Sequence, residues 1–335
     1  PQDTSADEAA SAQAALNLAG VANASDGRDF CRQAGMVRSH LDHGQTVPAP
    51  TALSAAKERL ASDTALLGRR GHYLTATVWY GGEWYWGVDR LFHLEQRLRE
   101  LGACKAPEEP YIVPRPSIDV AGVDASGLEL HFYPSLNSPY TSIIYDRTIA
   151  LADACNIEFH HKPVLPMIMR GVPATPAKGR YIFFDTKREA DFFGVPFGNH
   201  VSPIGTPTRL AYSLLPWATG QGKDRELMST LLRHAWAEGR GLHRTASMKR
   251  AVQEAGLDWR EARERQGSDG WKEIVERNQD EMVEGMGLWG VPSYRLCGPD
   301  GEPDLAVWGQ DRLWLVAAEI RRRAELMSGK ELPDD

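Results

Sequence analysis

Residues 128–164 read LELHFYPSLNSPYTSIIYDRTIALADACNIEFHHKPV, and this stretch decides the fold. Leu128, Leu130 and Phe132 alternate with Glu129, His131 and Tyr133, the period of two that marks a strand with one buried face. Ser138-Pro139 then opens a helix, because serine is a favoured N-cap and proline a favoured first helical residue. Ile144, Leu151 and Cys155 fall on one face of that helix, and residues 157–164 return to a strand. Strand, helix and strand of these lengths make a βαβ unit with parallel strands and a right-handed crossover.

Downstream, residues 224–239, 245–255 and 259–285 carry helical periodicity, with Leu227, Leu231 and Ala235 as the apolar stripe of the first. A strand at 291–297, a turn at 298–301, a strand at 305–308 and a last helix at 313–327 follow. Upstream, residues 105–127 contain Pro107, Pro110, Pro114 and Pro116 and read as an extended linker. Ahead of the linker, residues 73–80 and 83–86 flank Gly81-Gly82 as a β-hairpin, and Leu91, Leu94 and Leu98 mark a short amphipathic helix. A further helix is expected over residues 52–67, with a loose Ala/Asp/Ser-rich lead-in at 1–27.

The two hairpin regions resemble each other. Trp86-Gly87-Val88-Asp89-Arg90-Leu91 matches Trp308-Gly309-Gln310-Asp311-Arg312-Leu313, and Gly68, Gly71 and Tyr73 align with Gly287, Gly290 and Pro292. The expected architecture is therefore tandem. It has a partial copy at 1–104, the linker at 105–127, a complete copy at 128–327 with a helical insertion at about 185–288, and a tail at 328–335. The first copy lacks the βαβ unit, so a core of its own is not expected. Asp89 reads as a helix cap.

A net charge of −7 and a pI near 5.9 argue against a nucleic-acid or anionic-membrane partner. No stretch approaches a membrane span, and no basic-then-apolar leader stands at the N-terminus. Cys31, Cys104, Cys155 and Cys297 are scattered, with no C-x-x-C, which fits a reducing compartment and a cytoplasmic location. His160-His161 does not read as a metal site, since neighbours on a strand point to opposite faces.

Three motifs carry a family resemblance: Ser138-Pro139-Tyr140-Thr141 after a strand, Trp289-Gly290-Val291-Pro292, and the closing Trp308 to Leu313 segment. In their order, and with helices between them, residues 128–327 resemble the 2-hydroxychromene-2-carboxylate isomerases and kappa-class glutathione transferases. These are relatives of the DsbA-type disulfide oxidoreductases. The resemblance implies an α/β, thioredoxin-like fold with an inserted all-helical subdomain, here preceded by the partial copy. It implies glutathione as cofactor, a small aromatic acid as substrate, and a homodimer as a plausible assembly.

Ser138 and Thr141 occupy the two positions that are cysteines in the redox relatives, so the thiol would be glutathione's own. A helix N-terminus favours an anion there, and the Ser138 hydroxyl would donate to the sulfur. The resemblance further implies a cis bond before Pro292, strand-like pairing of glutathione with Val291, a γ-glutamyl ammonium on Asp311, and contacts from Lys178 and Gln310. Gln310 departs from the serine common in kappa transferases, and no asparagine stands where the family has one upstream of Lys178. The readings left open are isomerase, kappa-type transferase or peroxidase, and a non-catalytic thioredoxin-like binding protein.

Overall fold

The computed structural model describes residues 53–329; the lead-in at 1–27, Cys31 and the last six residues lie outside that span. Chain contacts divide the protein into two compact units, residues 1–75 and 76–335. The break precedes the first hairpin and does not fall in the proline-rich segment. In the first unit the described residues, 53–75, begin with helix α1 (Leu53–Arg69), which carries an i,i+4 pair between Arg59 and Asp63.

The second unit opens with the hairpin β1 (Thr77–Tyr80) and β2 (Glu83–Trp86). Gly81 and Gly82 both have positive φ, as a two-residue turn between right-twisted strands requires. A 3-10 turn (Val88–Arg90) and α2 (Leu91–Glu100) complete the segment. Residues 102–128, broken by prolines, hold no helix or strand.

The central part is β3 (Glu129–Tyr133), α3 (Pro139–Ala154) and β4 (Glu158–His161), with β4 parallel to β3. The second strand is shorter than expected, ending at His161, although Lys162 N–H and Val164 N–H, on either side of Pro163, still donate to Phe132 O and Pro134 O at 2.9 Å. Helices follow: α4 (Pro176–Phe193), α5 (Thr206–Tyr212), α6 (Leu215–Gly220), α7 (Asp224–Trp236), α8 (Thr245–Glu254), α9 (Trp259–Arg265) and α10 (Trp271–Asp280). A π-turn, Glu281–Gly285, extends α10. Residues 259–285 thus form two helices where one is expected; Gly267, at a φ of +84°, lies in the break between them.

The chain returns through β5 (Ser293–Cys297) and β6 (Leu305–Trp308), a 3-10 turn (Gln310–Arg312) and α11 (Leu313–Met327). The four-stranded sheet has the order β4-β3-β5-β6, with β5 antiparallel to both neighbours. Leu130 and Phe132 of β3 are fully buried with Tyr294 and Leu296 of β5, Ile144 of α3, and Val316 and Ile320 of α11. Each such side chain contributes about 1.5–3 kcal/mol by leaving water. Leu227, Leu231 and Ala235, the stripe expected on α7, join the same core. This is an α/β thioredoxin-like fold with a helical run inserted between β4 and β5.

Candidate active site

Ser138 follows β3 and caps α3: its Oγ accepts from the Thr141 backbone N–H at 3.2 Å. Ser138 and Thr141, the two positions that the resemblance sets against cysteines, are therefore joined by a cap bond between the serine side chain and the helix backbone. The loop that delivers Ser138 is held from both sides by the helical insertion. Leu136 N–H donates to the Tyr212 hydroxyl at 3.1 Å, and Trp236 Nε1 donates to Leu136 O at 2.9 Å. Tyr212 in turn donates to Val164 O at 2.9 Å, tying the same point to the end of β4. Sequence reasoning gave Tyr212 no role; a buried tyrosine on a short helix carries no local signal for such a clamp.

Opposite the helix end stands the loop before β5. The Val291–Pro292 peptide is cis, as the resemblance implies. The Ser138 hydroxyl reaches Val291 O at 3.5 Å. Gly290 packs flat on Trp308, where a Cβ would overlap the indole. Trp289 stacks on Trp308, with ring centroids 6.0 Å apart. Lys178, in the first turn of α4, places its Nζ 5.6 Å from the Trp289 ring centroid, and burial lowers its pKa. Arg170 adds a hydrogen bond from Nη2 to Trp289 O at 2.6 Å. Ser138, Val291, Pro292 and Lys178 thus share one neighbourhood built on this loop.

Gln310 and Asp311 belong to a second cluster. Asp311 does not cap α11, which has no side-chain cap, and Asp89 does not cap α2. Instead the two copies of the D-R motif exchange partners. Arg90 Nη1 donates to Asp311 Oδ2 at 2.9 Å, and Arg312 Nη1 donates to Asp89 Oδ1 at 2.7 Å. Arg90 also grips Asp185 of α4 through Nε (2.9 Å) and Nη2 (2.7 Å). Burial works against the charge on Arg90, yet Asp185 and Glu189 hold its pKa above the ordinary value.

Glu189 sits at the centre of the same network. His93 Nε2 lies 2.6 Å from its Oε1, Arg115 pairs with it, and Gln310 Nε2 donates to its Oε2 at 2.8 Å. Burial alone would raise the Glu189 carboxyl, but His93, Arg90 and Arg115 hold it well below the carboxylate range. Burial pulls the His93 imidazole below its ordinary value. Tyr140, two residues after Ser138, donates to Asp185 Oδ2 at 2.7 Å, which connects the helix end to the network. Burial, and then Asp185, push this phenol well above its usual range, so it stays a donor.

Beside the network lies a cavity of about 480 Å³, lined by Phe92, Phe192, Phe193, Trp314, Arg115 and Arg147, and bordered by Gln310 and Asp311. Arg147 comes from α3, the helix that Ser138 caps. Its guanidinium carbon lies 3.5 Å from the Phe193 ring centroid, and its Nη1 has no hydrogen-bond partner among the described residues. The chamber is thus apolar and aromatic, with one guanidinium nitrogen left without a hydrogen-bond partner among the described residues. Among the nearby aromatics, Trp236 serves the Leu136 clamp, while Trp289 and Tyr140 border the Ser138 end.

A family model described as the DSBA-like thioredoxin domain matches residues 129–321. Among solved structures, 2-hydroxychromene-2-carboxylate isomerase superposes on 60% of this chain and 98% of its own, with a TM-score of 0.50 at 16% identity. The cytosolic disulfide reductase DsbM from Pseudomonas aeruginosa covers the same shares at 16% identity and a TM-score of 0.44. The form of DsbM solved with GSH gives 14% identity and a TM-score of 0.41, over 60% of this chain and 99% of its own. At these identities the likeness is one of fold. No curated protein matches the chain in sequence.

Proposed function

Since the chain belongs to the DSBA-like thioredoxin family, we propose that it uses glutathione as an external thiol and acts as an isomerase of the 2-hydroxychromene-2-carboxylate type. The observation that carries this reading is Ser138 at the start of α3, facing Val291 O across 3.5 Å, with Thr141 in place of a second thiol. A thiol sulfur entering between them would take the Ser138 hydroxyl proton as a hydrogen bond in place of Val291 O. The helix end would stabilise its charge.

The chemistry follows from that thiolate. It adds to a conjugated carbon of an aromatic-pathway acid, pushing the electron pair into the conjugated carbonyl. Rotation about the bond made single, or ring opening, precedes collapse of the adduct, which re-forms the double bond and expels the thiolate. The substrate carboxylate would sit on Arg147 and its ring among Phe92, Phe192 and Phe193. Val291 would pair with the cysteinyl backbone of glutathione, and Lys178 and Gln310 would meet its carboxylates and polar ends. A γ-glutamyl ammonium on Asp311 would share that carboxylate with Arg90. The scattered cysteines suit a cytoplasmic enzyme, and the matching hairpin segments suit a tandem duplication.

The Arg90–Asp311 pair also favours a second reading, a thioredoxin-like binding protein without turnover, because the protein's own cation stands where the ammonium is expected. Titration with reduced glutathione, following the ultraviolet absorbance of the bound thiolate, separates the two. Saturable thiolate formation that Ser138→Ala removes supports the enzyme. No binding at millimolar glutathione refutes it. Product analysis with an aromatic halide beside a chromene acid then divides conjugation from isomerisation.

A further inference from the structure

The start of β3 lies at the far end of the strand from Ser138 and presents four metal-ligating side chains on one face of the sheet. The parallel register sets His131 beside His160 and Glu129 beside Glu158. Residues two apart on a strand share a face, so these four occupy the corners of a single patch. His161, the sequence neighbour of His160, turns the other way and meets Asp224 and Tyr145. His160 and His161 therefore cannot share an ion, whereas His131 and His160, across the strands, can.

We propose that Glu129, His131 and His160, with Glu158 at the rim, form a binding site for one divalent transition-metal ion of the zinc class. One ligand atom from each of the first three lies within 4.8 Å of the others. His131 Nε2 is 2.9 Å and His160 Nε2 is 3.3 Å from the same oxygen, Glu129 Oε2. His160 Nε2 is also 3.3 Å from Glu158 Oε1. Ligands about 2.1 Å from a tetrahedral ion stand roughly 3.4 Å from one another, which the two 3.3 Å separations match, while the 2.9 Å hydrogen bond between His131 and Glu129 is one an ion would replace.

His160 Nε2 supports the same conclusion. Two carboxylate oxygens flank it, yet it makes no hydrogen bond among the described residues. It stands 3.3 Å from each oxygen, a position that suits an ion held between them. Nearby cations do not oppose the ion. Lys162 is paired with Glu281, and Arg295, across the strand from His131, is paired with Asp304 at 2.6 Å. Two imidazoles and carboxylate oxygens select zinc, nickel or cobalt over calcium or magnesium. Because β4 is the edge strand, an ion there ties it to β3.

The test is calorimetric titration of the metal-stripped full chain with zinc chloride, with thermal melting alongside. Wild type is expected to take up one equivalent and to melt higher with zinc. His160→Gln and Glu129→Gln, both at partly open positions, should each weaken binding at least roughly tenfold and abolish the shift in melting. Their metal-free melting shows that they fold, and His243→Gln should bind as wild type does. Absence of zinc uptake by wild type, or unchanged affinity in both variants, overturns the proposal.

Discussion

Replacing Arg90 by methionine should cost far more stability than the same change at Arg312, although the two arginines occupy matching places in the two W-G-x-D-R-L segments. The Arg90 side chain is 3% exposed and Asp185, its bidentate partner, is wholly buried. Methionine keeps the stem and removes the charge, leaving Asp185 and Glu189 with less compensation out of contact with water. Breaking a buried pair in this way costs about 3–5 kcal/mol. The Arg312–Asp89 pair is 32% and 25% exposed, and pairs of that kind are worth about 0.2–1 kcal/mol. For a unit of this size the difference corresponds to a melting temperature lower by roughly 6–20 °C for Arg90→Met and by no more than a few degrees for Arg312→Met. Circular dichroism melts and urea titrations measure both. Limited proteolysis within residues 102–128 would report release of the hairpin and α2 ahead of global unfolding. Equal losses in the two variants, within about 1 kcal/mol, would refute the assignment of Arg90 as the buried anchor.

Ser138→Cys should place a thiol at the start of α3 with a pKa below the ordinary value of about 8.5, read as a difference in thiolate absorbance against wild type; a value at or above that figure would show that this helix end does not stabilise an anion. Ser138→Ala should cost about 1 kcal/mol through the lost N-cap while leaving the fold intact by circular dichroism. Stability should fall on acidification in two stages. His93 and Glu189 both have pKa values below their unfolded values, so their contribution is complete above about pH 6.5, erodes as His93 is drawn to protonate, and erodes again below about pH 4.5 as Glu189 is. In Glu189→Gln the lower stage should disappear from a melting series run across that range. Gly290→Ala should lose about 1–3 kcal/mol and perturb tryptophan fluorescence, because its methyl group would displace Trp308.

The βαβ unit and Ser138 were legible because their signals are local. The Ser-Pro cap of α3 and the stripe on α7 each report a short-range preference that the tertiary structure uses unchanged; the period-two alternation marks β3 as a strand, but His131 and Tyr133 are buried along with Leu130 and Phe132, so both of its faces are covered. The cis peptide at Val291–Pro292 was legible only through the resemblance, since a Val-Pro pair reads equally well as an edge strand. The roles of Asp89 and Asp311 were hidden for a physical reason. An aspartate before a helix is an ordinary cap, and nothing in the sequence says that its true partner lies 223 or 221 residues away. Arg90, His93 and Arg115 are polar side chains that propensity assigns to the surface; burial with Asp185 and Glu189 overrides it. The His131–His160 pairing depended on strand register, which the parallel crossover does not reveal until both strands are placed.

The reciprocal exchange between Asp89–Arg312 and Arg90–Asp311 has the form of a contact between two identical partners, yet it is made within one polypeptide. In a symmetric pair of subunits each substitution lands on both sides at once, so a residue cannot be buried at one end and exposed at the other. Here each arginine is encoded separately and can change alone. Arg90 is the hidden anchor of a charge cluster, while Arg312 lies at the rim. The same local motif thus does different work at its two places, and a change harmful at one position is tolerable at the other.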